Sequence, residues 1–383
     1  MLCRVCQNEI GDSIYAASGP AITSLATILD APTRVHVCSA CGHCQSADLP
    51  NPDAFYDTSY RISLASDEHD QVYEIRNGQP VFRTDRQADV VIDLLEMGPG
   101  AKILDYGAAK AATLRKIVTH RPQVAPHVFD VSEDYRGHWM SWLPTDACAT
   151  YEMPSSWHGR FDVVTAHYVM EHVSDPVAVL SELRALLAPG GKLFFSVPDW
   201  TQNSGDLLVV DHINHFSETS IRTALWRAGL GLDLLASSRL PATFVVVCSK
   251  SASTAAPATD KVKAEVDAAR AACSFWTNMV ATLDKSAALR RNRSSAIFGV
   301  GFYGSLVHSR VGKRVPVACF LDNNPHSWSL PHFGLPVRPP AEMPEDVRTV
   351  YVGLNPSAAR SIVAQTPALN RDNVDLVFLD QAA

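Results

Sequence analysis

An α/β chain with two parallel-sheet units and a small cysteine-bearing N-terminal lobe is what this sequence predicts, on three observations. From 101 to 249 apolar strands alternate with helical segments, the pattern of a parallel sheet with helical crossovers. A second strand–loop–helix run opens at "SSAIFGVGFYGSLVHS", residues 294–309. Two CxxC knuckles, in "CRVC" and "CSACGHC", sit within the first 44 residues.

At 383 residues the chain exceeds what one hydrophobic core usually supports. It reads as a cysteine lobe over 1–50, then a polar, tyrosine-bearing connection over 51–100 that ends in the amphipathic stretch "RQADVVIDLLEMG". The first α/β unit (101–249), a small-residue linker (250–260) and a C-terminal unit (261–383) follow.

A formal net charge of −7 speaks against a protein that binds nucleic acid by neutralising phosphates. "MLCRVCQNEI" has neither the basic nor the apolar region of a signal peptide, and no apolar run approaches the ~20 residues of a membrane helix. A cytoplasmic protein with no membrane partner is the expectation. Nine cysteines, an odd number, do not form a secreted disulfide framework.

Cys3, Cys6, Cys38 and Cys41 place two thiolate pairs at the spacing of one metal site. Four soft ligands with no open position favour tetrahedral structural zinc. So small a lobe buries little apolar area, and metal binding would supply the missing folding energy. Cys44, which makes a second CxxC with Cys41, and His36 and His43 remain alternative ligands.

The stretch "ILDYGAAKAATLRKI" (103–117) reads as a strand, a tight turn and a helix start. Asp105 falls at the carboxyl edge of the strand, where open α/β sheets bind ligands. Only Gly107 survives of the usual three glycines; Ala109 and Ala111 fill the other places. Alanine serves there if the backbone stays at negative φ and the ligand carries no pyrophosphate. That points away from a dinucleotide and toward S-adenosylmethionine. In "PHVFDVSEDY", Asp130, followed by Val131, lies 25 residues after Asp105, placed for a ribose. "RFDVVTAHYVMEHVSDP" is a further strand running into Glu171 and His172, and "LLAPGGKLFFSVPDW" is a helix end, a Pro-Gly-Gly turn and a strand.

Together "LDYGAAKAATL", "FDVVTAHYVMEHV" and "LAPGGKLFFSVP" resemble a class I S-adenosylmethionine-dependent methyltransferase over residues 101–249. The resemblance implies that Asp105, Gly107 and Ala109 hold the methionine end, Asp130 and Val131 the adenosine, and Glu171 and His172 the acceptor. A CxxC lobe before that domain and a second Rossmann-like domain after it are similar to the nucleotide-sugar C-methyltransferases. These methylate a carbon beside the keto group of a deoxysugar carried on a nucleoside diphosphate.

In that family a histidine follows the fifth strand; "VDHINHFSETS" occupies the place here, with His212 on the histidine, Asp211 before it and His215 on a later tyrosine. Carbon methylation of this kind needs a base and a group that stabilises an enolate. The resemblance implies His212 as base, Asp211 as its polarising acid, His215 as a substrate contact, and Tyr60 as an aid to enolisation. "YDTSYRIS" departs from the family's paired tyrosines: Tyr60 and Ser63 match, whereas Ile62 replaces the second aromatic.

Gly299, Gly301 and Gly304, with Asp322 23 residues beyond Gly299, make a better dinucleotide fingerprint than the first loop. In the related enzymes this unit helps enclose the sugar nucleotide, with Gly301 at the substrate. The rival readings are an O- or N-methyltransferase on a polar metabolite, a bifunctional protein with a dinucleotide in the C-terminal unit, and a non-catalytic zinc-bearing scaffold.

Overall fold

The first α/β stretch forms one twisted seven-stranded sheet because its strands carry apolar residues on both faces. A computed structural model describes residues 1–49, 51–52, 55–56, 60, 72–76, 79–250 and 256–380. The strands are β1 (Lys102–Tyr106), β2 (Ala125–Asp130), β3 (Cys148–Thr150), β4 (Phe161–His167), β5 (Leu187–Pro198), β6 (Gly231–Leu240) and β7 (Thr243–Ser249). Their order is β3-β2-β1-β4-β5-β7-β6. The first five run parallel, and β7 is antiparallel to both its neighbours. The order reverses between β1 and β4, so the sheet has a topological switch point at the carboxyl end of β1.

Successive strand residues serve opposite layers. Ile103, Val163, Phe194 and Val245 pack with Val91 of α1 (Arg83–Leu94) and with Leu114 and Ile117 of α2 (Ala112–His120). Leu104, Val164, Phe195 and Val246 pack with Leu180 and Leu183 of α3 (Pro176–Leu186) and Ile221 and Leu225 of α4 (Glu218–Arg227). A sheet covered on both faces needs this pattern. The helix starts are encoded locally. Asp175 caps α3, with Pro176 in its first turn, and Ser217 caps α4 by accepting from the Ser220 N–H.

The C-terminal sheet contains β8 (Ser295–Phe298), β9 (Val317–Leu321), β10 (Val337–Arg338), β11 (Thr349–Val352) and β12 (Asp375–Phe378), ordered β10-β9-β8-β11-β12 and all parallel. Its helices are α5 (Val262–Leu289), α6 (Phe302–Val311) and α7 (Pro356–Ala364). Five parallel strands with these helices make a second α/β sheet.

The compact units do not follow the linear segments read from the sequence. One comprises 1–11, 37–202 and 213–266; the other comprises 12–36, 203–212 and 267–383. The middle of the N-terminal lobe and the segment carrying Asp211 and His212 thus belong with the C-terminal sheet. Among the described residues no helix is long and apolar enough to cross a membrane.

Candidate active site

At the switch point of the first unit, Asp105, next to last in β1, is almost wholly buried, and the Thr165 hydroxyl donates to it at 2.8 Å. Burial pushes its carboxyl up to about 7 against the pull of that hydrogen bond, with Asp130 adding a like charge. Asp130 ends β2. It accepts from the Ala109 N–H at 2.8 Å and the Ser132 N–H at 3.2 Å, and burial pushes it up to about 6. The carboxylate that the sequence assigns to a ribose therefore also shapes the loop. Val131 beside it is half exposed, an apolar surface next to the acid.

The loop corrects one expectation. Gly107 has φ 71°, and a Cβ there would lie 2.5 Å from Val169 Cγ2, so glycine is required. Ala109 and Ala111, expected at negative φ, are left-handed at φ 46° and 57°. The turn keeps a glycine geometry on alanine, at a cost of roughly 1–2 kcal/mol per residue. Three bonds impose it: the Gly107 and Ala108 N–H groups both donate to Phe129 O, and the indole of buried Trp139 donates to Ala109 O at 2.7 Å. Ala111→Gly should therefore leave thermal stability within about 1 kcal/mol, relieved strain offsetting added chain entropy. Ala111→Val, at a fully buried left-handed position, should cost about 1–3 kcal/mol. Thermal melts of the two variants check the pair.

Beyond β4, His172 lies between two tyrosines. Tyr56 Oη is 3.1 Å from its Nδ1 and Tyr60 Oη 3.4 Å from its Nε2, and both rings meet the imidazole edge to face. A neutral imidazole has one N–H and one lone pair, so one phenol donates to it and the other accepts from it. Tyr60 is thus held beside His172; Ile62 and Ser63 lie outside the described residues.

The loop bearing Glu171 and His172 is clamped by Asn214. Its Nδ2 donates to Met170 O at 3.0 Å and Val173 O at 2.7 Å, its backbone N–H donates to Glu171 O, and its Oδ1 meets His43 Nε2 at 3.2 Å. Glu171 is 1% exposed. His167, the last residue of β4, was missed by sequence reading. Both its ring nitrogens are buried with no hydrogen-bond partner among the described residues, and burial, then Arg83, holds its pKa down at about 3. A histidine ending the strand next to the switch point was the available signal.

In the second unit, His212 Nδ1 lies 2.6 Å from Asp206 Oδ1, with both side chains largely buried. The carboxylate at His212 Nδ1 is Asp206, whereas the sequence pointed to Asp211. Asp211 instead accepts from the Ser24 N–H at 2.7 Å and the Ser24 hydroxyl at 2.6 Å. An Nδ1–H donated to a carboxylate leaves the Nε2 lone pair as a base. His215, expected at the substrate, is 1% exposed, pairs with Cys44 in a short antiparallel ladder and turns its Nε2 toward Ser46 Oγ at 3.4 Å.

The four expected cysteines converge. Cys3 and Cys41 sulfurs are 3.6 Å apart, Cys6 and Cys38 3.5 Å, and all four Sγ atoms lie within 4.8 Å of one another. Sulfurs around a tetrahedral zinc, at bonds of about 2.3 Å, lie roughly 3.8 Å apart, so the donor set fits that ion. Of the alternatives, His43 binds Asn214 and Cys44 sits in the lobe ladder with His215. Gly301 caps α6, and nothing lies within 4 Å of where its Cβ would be.

Residues 82–235 match the sequence model of a family described as "Methyltransferase domain". Ubiquinone biosynthesis O-methyltransferase of Xanthomonas campestris pv. campestris is 29% identical over 117 residues, 29% of this chain and 49% of that one. An uncharacterised 37.1 kDa protein in a transposon of Streptomyces fradiae is 29% identical over 132 residues, 32% of this chain and 36% of its own. The chain thus spans about a third to a half of the length of these relatives. Among solved structures, an S-adenosylmethionine-dependent methyltransferase from Mesorhizobium loti aligns with TM-score 0.35 at 15% identity, over 43% of this chain and 97% of that one. The CurJ carbon methyltransferase aligns with TM-score 0.34 at 18% identity, over 42% and 51%. Sheet order and family match together define a methyltransferase domain over residues 82–235 of the chain.

Proposed function

We propose that the protein transfers the methyl group of S-adenosylmethionine to a carbon beside the keto group of a nucleotide-linked deoxysugar. The observation that carries the reading is the His212–Asp206 pair, a buried carboxylate 2.6 Å from the imidazole Nδ1. Nucleoside-diphosphate sugar as acceptor is supported by the order of segments in the sequence: cysteine lobe, methyltransferase domain, second Rossmann-like sheet.

Asp105 and the Gly107–Ala109 turn would hold the methionine end, with Asp105 losing its retained proton once a cation faces it. Asp130 would take the ribose hydroxyls alongside its backbone bonds, and Val131 the adenine face. When bound, the donor supplies an electrophilic sulfonium methyl. On the acceptor, His212 Nε2 removes the proton next to the ketone. Tyr60, held beside His172, would assist enolisation, and Glu171 and His172 would contact the acceptor. The Cys3, Cys6, Cys38 and Cys41 set would hold zinc with a closed shell, in a structural role.

Loss of the Asp130 carboxylate should weaken S-adenosylmethionine by roughly 30- to 150-fold, about 2–3 kcal/mol. Calorimetry of Asp130→Ala decides it; unchanged affinity means the ribose is held elsewhere. The likeness to ubiquinone biosynthesis O-methyltransferases favours a second reading, transfer to a hydroxyl. It needs no enolate, and a methyl bonded to oxygen in the product would establish it.

A further inference from the structure

The glycine-rich turn after β8 has a use other than holding a dinucleotide. A Cβ on Gly304 would come 1.9 Å from Gly299 O, one on Gly299 2.5 Å from Gly353 O, and one on Gly353 2.5 Å from Gly304 Cα. Close packing of this turn, α6 and the end of β11 accounts for three glycines without a ligand.

Between those glycines the turn presents Tyr303. Its hydroxyl donates to Asn203 Oδ1, and the Gly205 N–H donates to the phenol oxygen. A Cβ on Gly205 would lie 2.5 Å from that oxygen, so the tyrosine lies flush against the backbone of the 203–208 turn. Asn355 Nδ2 supports Asn203 Oδ1 at 3.2 Å. The indole of fully buried Trp276 stacks on Tyr303, centroids 5.8 Å apart, and donates to Ser204 O at 2.9 Å. The next residue in this turn is Asp206, whose carboxylate meets His212. The far end of the segment is fixed as well, by the Val210 N–H on Ile22 O and by Ser24 on Asp211.

We infer that Tyr303, with Asn203 and Trp276, is a positioning device for His212: it locks the 203–208 turn so that Asp206 holds the imidazole as its Nδ1–H tautomer. The inference rests on the reading of His212 as the base. Outer partners that fix a functional imidazole typically change function about 10- to 100-fold when removed. The phenol hydroxyl touches the turn at two points, so its loss frees both Asn203 and the Gly205 N–H.

The test is Tyr303→Phe in the full chain, labelled with ¹⁵N-histidine, beside Asp206→Asn as the reference for a lost carboxylate. In the wild type, His212 should show an Nδ1–H proton far downfield, the signature of a short bond to carboxylate. Tyr303→Phe should weaken or broaden that signal and lower kcat about 10- to 100-fold, with KM and binding of S-adenosylmethionine unchanged. An unaltered His212 signal in Tyr303→Phe overturns the inference. The spectrum needs no substrate, so a perturbed signal with full turnover leaves the positioning intact and removes His212 as base. Should Tyr303→Phe fail to fold, Asn203→Ala cuts the same bond from its half-buried end, and the same two outcomes apply.

Discussion

His212→Ala should lower methyl transfer by ~100- to 10,000-fold, the usual range for removing a general base, and leave S-adenosylmethionine binding nearly intact. The hydrogen on the carbon beside a ketone is only weakly acidic, so solvent alone removes it slowly. A fixed Nε2 lone pair is therefore most of what the enzyme can contribute at that step. His212 meets the requirement because Asp206, 2.6 Å from Nδ1, sets the tautomer. Asp206→Asn should lose nearly as much, since an amide can hold the opposite tautomer and leave no base. Asp211→Asn should cost far less if the Ser24 contacts are its main purpose. Steady-state rates of the three variants, with calorimetry of the donor as a folding control, check the ordering.

The second large effect is expected at the cysteine lobe. Cys38→Ser with Cys41→Ser should take the metal content from about one zinc per chain to none and collapse the lobe, because apparent zinc affinities of such sites are on the order of 10–16 kcal/mol. Cys3, Cys38 and Cys41, with Val5 and Ile10, pack into the same core as Phe216 and Leu225 of the first unit, so losing the metal should also loosen that packing. The damage should also reach the acceptor loop. The Cys38 N–H donates to His43 O, His43 meets Asn214, and Asn214 holds the backbone of Met170, Glu171 and Val173. Elemental analysis and thermal melts provide the check. Full zinc occupancy in the double variant, or a native melt without zinc, contradicts the assignment.

Much of the sheet was legible because its strands alternate between two buried layers and its turns carry proline and glycine where α/β connections need them. The cysteine set was legible for a simpler reason: CxxC spacing leaves few geometries. Asp206 was not legible. It lies six residues before His212 with no periodic relation to it, in a turn that Tyr303 holds through Asn203 and Gly205. Asp211, adjacent to His212, was the natural sequence choice and is instead engaged by Ser24. Alanine carries no signature of left-handed backbone, so the true geometry of Ala109 and Ala111 emerges only with Trp139 and Phe129 in place. Asn214 lay inside a motif whose histidines drew attention, yet its amide holds the acceptor loop. The glycines after β8 were read as a ligand cradle; two of them, Gly299 and Gly304, with Gly353 after β11, allow backbone to approach backbone.

The most direct measurement is solvent exchange without the methyl donor. Wild-type protein is incubated in deuterated water with a nucleoside-diphosphate 4-keto-deoxyhexose, and the hydrogen beside the ketone is followed by mass spectrometry. If His212 forms an enolate before methyl transfer, deuterium should enter that position many-fold faster than in buffer alone, and His212→Ala should return exchange to the buffer rate. Exchange no faster than buffer, in protein that still binds S-adenosylmethionine and methylates a hydroxyl, would contradict carbon methylation.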